Sequence, residues 1–213
     1  MKNANKMLKT VCAILCTGAA AMLFAADADL IAKGQAKMQQ DQRLGIKISY
    51  GGLFGTDKNQ VILSAKNPAV REYEVPYGVT EIKNDSFKDC STLTVLILPD
   101  TVKKIGNDAF KDCSRLKKIV FGKGLVHIGT DAFHGCESLE EITLPASVRV
   151  IGKAAFEECD SLKKVTLNKG LREIGEDAFS DCKSLKEITI PNTVTKIGKD
   201  AFEDTPCNVI FEK

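Results

Sequence analysis

The sequence predicts a solenoid of six short coils stacked in register. A 23-residue pattern runs six times without a gap, starting at Val70, Leu93, Leu116, Leu139, Leu162 and Leu185. A phenylalanine returns in every copy: Phe87, Phe110, Phe133, Phe156, Phe179 and Phe202. Cysteine keeps the same beat in five copies, at Cys90, Cys113, Cys136, Cys159 and Cys182. Periods of this size mark repeat architectures, in which each unit buries its apolar face against the next.

The chain of 213 residues is long enough for one such domain and an export segment. Residues 1–28 read as a signal peptide. Lys2, Lys6 and Lys9 form a basic start, and Val11 to Phe24 is an apolar run of 14 residues, too short for a bilayer span. Ala26-Asp27-Ala28 places small residues where a peptidase reads, so cleavage is expected after Ala28. A retained anchor is the alternative. Lipidation at Cys16 would want a small residue before it, and Leu15 is not one. Export implies the periplasm or the cell surface. Without these residues the 30 basic and 28 acidic side chains become 27 and 27. A neutral chain argues against nucleic acid as a partner.

Residues 29–69 are assigned to a leader and an N-terminal cap. Asp29 to Arg43 is polar, either a short helix or a leader. Leu44, Ile46, Ile48 and Tyr50 alternate as in a strand, Gly51 to Asn59 has loop composition, and Val61-Ile62-Leu63 suggests a second strand. Together they predict a small β hairpin placed to cover the first coil.

Residues 70–213 form the repeat domain. In Leu139-Glu140-Glu141-Ile142-Thr143-Leu144-Pro145, Leu139, Ile142 and Leu144 are expected to point inward. Strand alternation turns Glu141 and Thr143 to an open face. Pro76, Pro99, Pro145 and Pro191 end the strand in four copies, since proline cannot continue a ladder. Val148 and Ile151 then return to the interior. Gly152 is expected to permit a tight turn or a positive φ, and Ala155-Phe156 to lie on a helical or 3₁₀ turn. Stacking at about 4.8 Å per strand would bury each column against itself. After Phe202, Val209 to Phe211 would add a short seventh strand.

The run C-x-x-L-x-x-I-x-L-P-x-x-V-x-x-I-G-x-x-A-F resembles the BspA-type (treponemal-type) leucine-rich repeat over residues 70–207, about two thirds of the chain. The resemblance implies a leucine-rich repeat solenoid with a parallel sheet on its concave side. It also implies bacterial surface or envelope proteins that bind other proteins. The terminal copies depart from the pattern: Lys83 and Ser86 stand for glycine and alanine in the first, and Thr205 for cysteine in the last.

Several columns carry candidate chemistry. Five cysteines at one phase point the same way along the stack, which does not suit the disulfide dihedral of about 90°. They are read as buried reduced thiols, with Cys182–Cys207 as the one bridge to test. No C-x₂-C pair suggests zinc. Asp85, Asp108, Asp131, Asp177 and Asp200 precede Ala-Phe or Ser-Phe, as turn caps or as a calcium row that Ala154 interrupts. His127 and His134 fall at different phases and read as surface residues. No nucleophile–base pair, paired carboxylates or phosphate loop is evident, so neither catalysis nor a cofactor or metal is expected.

The open face carries the functional expectation. One column runs Glu72, Val95, Lys118, Glu141, Lys164, Glu187, with alternating charges able to pair from Lys118 onward. The other runs Glu74, Ile97, Val120, Thr143, Thr166, Thr189. Val95, Ile97 and Val120 would form an exposed apolar patch, bordered by Glu72, Glu74, Lys118 and Thr143. Such patches often mark interaction sites. The alternative is that Leu53-Phe54 folds over it. The expected function is noncatalytic binding of a host or envelope protein, as in adhesion. Two rivals are self-association, a homodimer through the edge Val209, Ile210 and Phe211, and carriage of a small apolar ligand on the patch.

Overall fold

Each repeat makes one coil, tied to its neighbours along three hydrogen-bonded ladders. The computed structural model describes residues 46–50, 61–64 and 70–213. The expected export segment, the polar leader and the loop with Leu53 and Phe54 lie outside the described residues.

The strands are β1 (Lys47–Tyr50), β2 (Val61–Ser64), β3 (Glu72–Glu74), β4 (Glu81–Ile82), β5 (Val95–Ile97), β6 (Lys104–Ile105), β7 (Lys118–Val120) and β8 (His127–Ile128). They continue with β9 (Glu141–Thr143), β10 (Val150–Ile151), β11 (Lys164–Thr166), β12 (Glu173–Ile174), β13 (Glu187–Ile190), β14 (Lys196–Ile197) and β15 (Asn208–Phe211). The first ladder is the parallel sheet β3-β5-β7-β9-β11, and β13 pairs parallel with β15. Its inward residues follow the alternation of the sequence. Leu96, Ile142 and Ile188 are buried between outward neighbours.

The second ladder is a narrow parallel sheet the sequence reading leaves as coil. It joins β4, β6, β8, β10, β12 and β14, two residues each. Its inward members are the isoleucines from Ile82 to Ile174, each fully buried. Strand β2 extends this sheet in parallel at β4, and β1 pairs antiparallel with β2.

The third ladder runs through the phenylalanine turns. Asp108, Phe110 and Asp112 donate their backbone N–H to the carbonyls of Thr130, Ala132 and His134, at 2.9, 2.8 and 2.8 Å. The next coil repeats this from Asp131, Phe133 and Gly135 to Lys153, Ala155 and Glu157. A helical turn does not form there. The chain instead makes separate turns, such as Lys111 N–H to Asp108 C=O and Leu116 N–H to Cys113 C=O. Among the described residues there is no helix.

These turns need left-handed backbone at both ends. Asp108 and Asp112 have φ of 52° and 58°, and Ala154 and Glu158 have 51° and 57° at the same phases. Aspartate tolerates this region better than most side chains, because its short carboxylate interacts locally. The aspartate column is therefore selected by the backbone, not by a capping bond to a short helix. Gly152 corrects a second expectation. It has no positive φ. A Cβ there would meet Gly129 C at 2.5 Å and Gly129 O at 2.6 Å, so glycine is required by the close approach of the preceding coil.

The core is one continuous cluster from Ile46 to Ala201. Its axis is a ring stack. Phe87, Phe110, Phe133, Phe156 and Phe179 follow one another at 5.1–5.4 Å between centroids, with ring planes within 11° of parallel. Phe202 adds a last ring at 5.8 Å and is only partly buried. Truncating a buried ring in a stack with neighbours on both sides leaves a cavity that cannot collapse. Phe133→Ala should therefore cost about 3–5 kcal/mol of unfolding free energy. Phe202→Ala should cost clearly less, and urea midpoints for the two variants would test the ranking.

Candidate functional site

The wide sheet turns two side-chain columns to solvent. Register sets their neighbours: Glu72 lies opposite Val95, Glu74 opposite Ile97, Val95 opposite Lys118, and Ile97 opposite Val120. Ile97 is 38% exposed and Val120 42%, while Val95 is half-buried. These three therefore meet as one apolar patch on adjacent strands. Glu72, Glu74 and Lys118 border it and are exposed. Thr143 is exposed on β9, in the next strand of the column.

A shallow depression lies beside the patch, at the starts of β7, β9 and β11. It is lined by Lys117, Lys118, Glu140, Glu141, Lys163 and Lys164. The expected pairing of Lys118, Glu141 and Lys164 does not close into ion pairs. Lys163 and Glu140, one residue earlier, approach to 3.7 Å instead. The charges of this lane thus remain available to solvent or to another surface.

Sequence reasoning missed Tyr77. It is 83% exposed at the corner after Pro76, where other copies carry Asp100, Lys123, Ala146, Lys169 and Asn192. Its signal was its being the one aromatic residue in that column. At the other end, β15 pairs with β13 as Glu187 to Asn208 through Ile190 to Phe211. Val209 is partly buried, Ile210 is exposed and Phe211 is 63% exposed.

The polar columns inside the stack perform structural chemistry. Cys113, Cys136, Cys159 and Cys182 carry free thiols, and so does Cys207, so no Cys182–Cys207 bridge forms. Each of the first four donates its thiol to the carbonyl of the phenylalanine one coil back: Phe87, Phe110, Phe133 and Phe156, at 3.1–3.4 Å. Thr205 completes the series with its hydroxyl, 2.6 Å from Phe179 O. The cysteine column is thus a column of hydrogen-bond donors as well as of small buried groups. Burial pushes the Cys182 thiol up to about 12 and holds Cys113, Cys136 and Cys159 far above the ordinary thiol range.

Five aspartates of the turns give their carboxylates to cations: Asp85 and Asp108 to Lys88, Asp131 to Lys111, Asp177 to Lys153, and Asp200 to Lys199. The two histidines separate as their phases imply. His127 lies on β8, where burial and the Lys104 charge hold its pKa below the ordinary value. His134 lies in a phenylalanine turn, half-buried, with its Nδ1 3.2 Å from Glu157 Oε2.

The family pattern described as the BspA type leucine rich repeat region matches residues 73–208 in six copies, more than half of the chain. Solved structures share the fold. A Treponema pallidum leucine rich repeat protein is 28% identical with a TM-score of 0.64, over 72% of this chain and 79% of that one. A leucine rich cell surface protein of Faecalibacterium prausnitzii is 25% identical with a TM-score of 0.67, over 78% and 53%. The pneumococcal vaccine antigen PcpA is 27% identical with a TM-score of 0.66, over 79% and 49%. This chain therefore spans about half the length of the last two. No curated protein sequence matches it. Among the described residues, no helix is long and apolar enough to cross a membrane.

The thiol ladder predicts an alkaline weakness. A thiol whose pKa is raised by folding keeps its proton when the unfolded chain has lost it. Stability is then fully present below the unfolded pKa and falls as pH climbs past about 8.5. Cys136→Thr, which copies Thr205, should flatten that decline in urea unfolding between pH 7 and 10. In alkylation followed by peptide mapping, half-buried Cys207 should label before Cys113, Cys136, Cys159 and Cys182.

Proposed function

The chain belongs to the BspA-type leucine-rich repeat family, and we propose that it is a noncatalytic protein-binding module of an exported bacterial protein. The adjacency of exposed Ile97 and Val120 carries this reading. A solvated strand face is satisfied by threonine and charge, as in Thr143, Thr166 and Glu187. Apolar side chains there gain nothing until another surface covers them. The partner is a host or envelope protein, and Val95, Ile97 and Val120 form the contact centre. Glu72, Glu74, Lys118 and Thr143 form its polar rim, the division that separates energy from complementarity at interfaces.

Export follows from residues 1–28, cleaved after Ala28, with residues 29–69 as leader and cap before the repeats. The mature protein is then periplasmic or held at the surface. The F. prausnitzii relative, a cell surface protein, supports the second place. Adhesion is the role that unites a surface location with an open apolar wall.

The test is a binding screen against envelope and extracellular-matrix proteins, repeated with Val95, Ile97 and Val120 changed to Ser. The triple variant should fold and bind at least about tenfold more weakly, as expected for loss of a buried contact centre. Unchanged affinity would remove these residues from the site.

One observation favours a second reading. Phe211, 63% exposed on terminal strand β15, is an unusual residue to leave in water. Self-association through Val209, Ile210 and Phe211 would cover it. Sedimentation would then show a concentration-dependent dimer that Phe211→Lys abolishes, a change at an exposed side chain that leaves Val209 packed on the core. Carriage of an apolar ligand lacks such support, because the depression on this face has a charged lining.

A further inference from the structure

We propose that Asp131, His134 and Glu157 form a binding site for a divalent transition-metal ion, with Glu158 orienting the imidazole. The site is separate from the proposed protein-binding face. It lies on the phenylalanine-turn ladder.

The turn column at this position reads Lys88, Lys111, His134, Glu157 in successive coils. Lys88 and Lys111 each bridge an aspartate of their own coil and one of the next, at 3.7 and 3.5 Å and at 3.9 and 3.1 Å. At His134 the ammonium is replaced by a ring with a lone pair. In the next coil a carboxylate takes the same position. One ligand atom from each of Asp131, His134 and Glu157 then lies within 4.8 Å of the other two.

The individual distances fit a shared metal ion as well as the direct His134–Glu157 hydrogen bond that an ion would replace. His134 Nδ1 is 3.2 Å from Glu157 Oε2 and 4.0 Å from Asp131 Oδ1. Zinc bonds of about 2.0–2.2 Å, arranged tetrahedrally, set ligand atoms about 3.4 Å apart. The first separation already fits, and a small carboxylate rotation closes the second. On the opposite edge of the ring, Nε2 faces Glu158 Oε2 at 3.8 Å. A metal-bound histidine commonly gives its other N–H to a carboxylate, which fixes the ring and its tautomer. Here two carboxylates converge on one ring nitrogen and a third stands by the other.

One imidazole nitrogen with two carboxylate oxygens selects zinc, cobalt, nickel or copper over calcium or magnesium, which prefer oxygen alone. The ligands are half-buried, so the ion can enter from solvent while the site holds its shape. Asp131 and His134 belong to one turn, closed by His134 N–H to Asp131 C=O. Glu157 comes from the next coil, 23 residues on. Lys111 is the competitor: its Nζ lies 3.1 Å from Asp131 Oδ1. The acidic group Asp177, Asp200 and Glu203 has similar geometry but no nitrogen ligand, and serves as an internal control.

The test is calorimetric titration of the chelator-treated full chain with zinc chloride. Saturable binding of one ion is expected. His134→Ala should abolish it, with His134→Gln as the shape-preserving check, and Glu157→Gln should weaken it at least about tenfold. Glu158→Gln should weaken binding less and broaden the imidazole ¹⁵N resonances, as the ring loses its fixed tautomer. Lys111→Met should tighten binding several-fold, an outcome no structural role predicts. His127→Ala and Asp177→Asn should leave binding unchanged. Absence of saturable uptake at millimolar zinc would overturn the proposal. So would binding that survives both substitutions of His134 in chains whose urea midpoint is unaltered.

Discussion

The stack depends on how one residue per coil is used. Phe110 donates its N–H to Ala132 O at 2.8 Å and accepts from Cys113 N at 3.3 Å and from the Cys136 thiol at 3.4 Å. Its ring lies between Phe87 and Phe133 at 5.1 and 5.2 Å. The backbone donor reaches 22 residues ahead, the thiol bonds back across 26 and the rings stack at 23, so three inter-coil contacts all follow from one 23-residue register. A slip of one residue would break every one of these contacts together. Competing stackings therefore lie far above the native one, which is what a consistent sequence achieves.

The large columns were legible because each reports burial directly. A phenylalanine or leucine repeated at one phase has only one use, and the described coils place these residues in one core. What escaped the sequence was governed by backbone. The narrow sheet has two residues per strand, too few to show any alternation. The aspartates before Ala-Phe matched a capping residue, because the side chains that cap turns also tolerate left-handed φ. Only Ala154, at φ 51° without a carboxylate, separates the two explanations, and it does so through coordinates. The thiol bonds had one written clue. Thr205, the residue that breaks the cysteine column, keeps a donor at the same place.

The interior and the open face obey different rules. Inside, any departure from a column leaves a cavity or an unmet hydrogen bond, so the copies stay alike. Outside, water accepts charge and threonine equally, and departures cost little. Lys118, Glu141 and Lys164 illustrate this tolerance. Their signs alternate, yet the nearest pair closes at Lys163 and Glu140 instead. Charge order on such a face is a weak constraint on the fold. Apolar residues on it are different, since exposing them carries a standing cost.

The period also explains how sites arise in this architecture. Residues 23 apart become neighbours, so a change confined to one copy yields an isolated side chain, and changes in two successive copies yield a pair. Ile97 and Val120 are such a pair, brought together by β5 and β7. His134 and Glu157 are another, brought together by the turn ladder. Neither pair is close in sequence, and no local motif announces it. Both become visible when the chain is written in columns and the columns are searched for consecutive departures from their common residue. The same rigid register that buries the phenylalanines thereby fixes the geometry of whatever the exposed columns assemble. A function placed on this fold needs no loop of its own to position it.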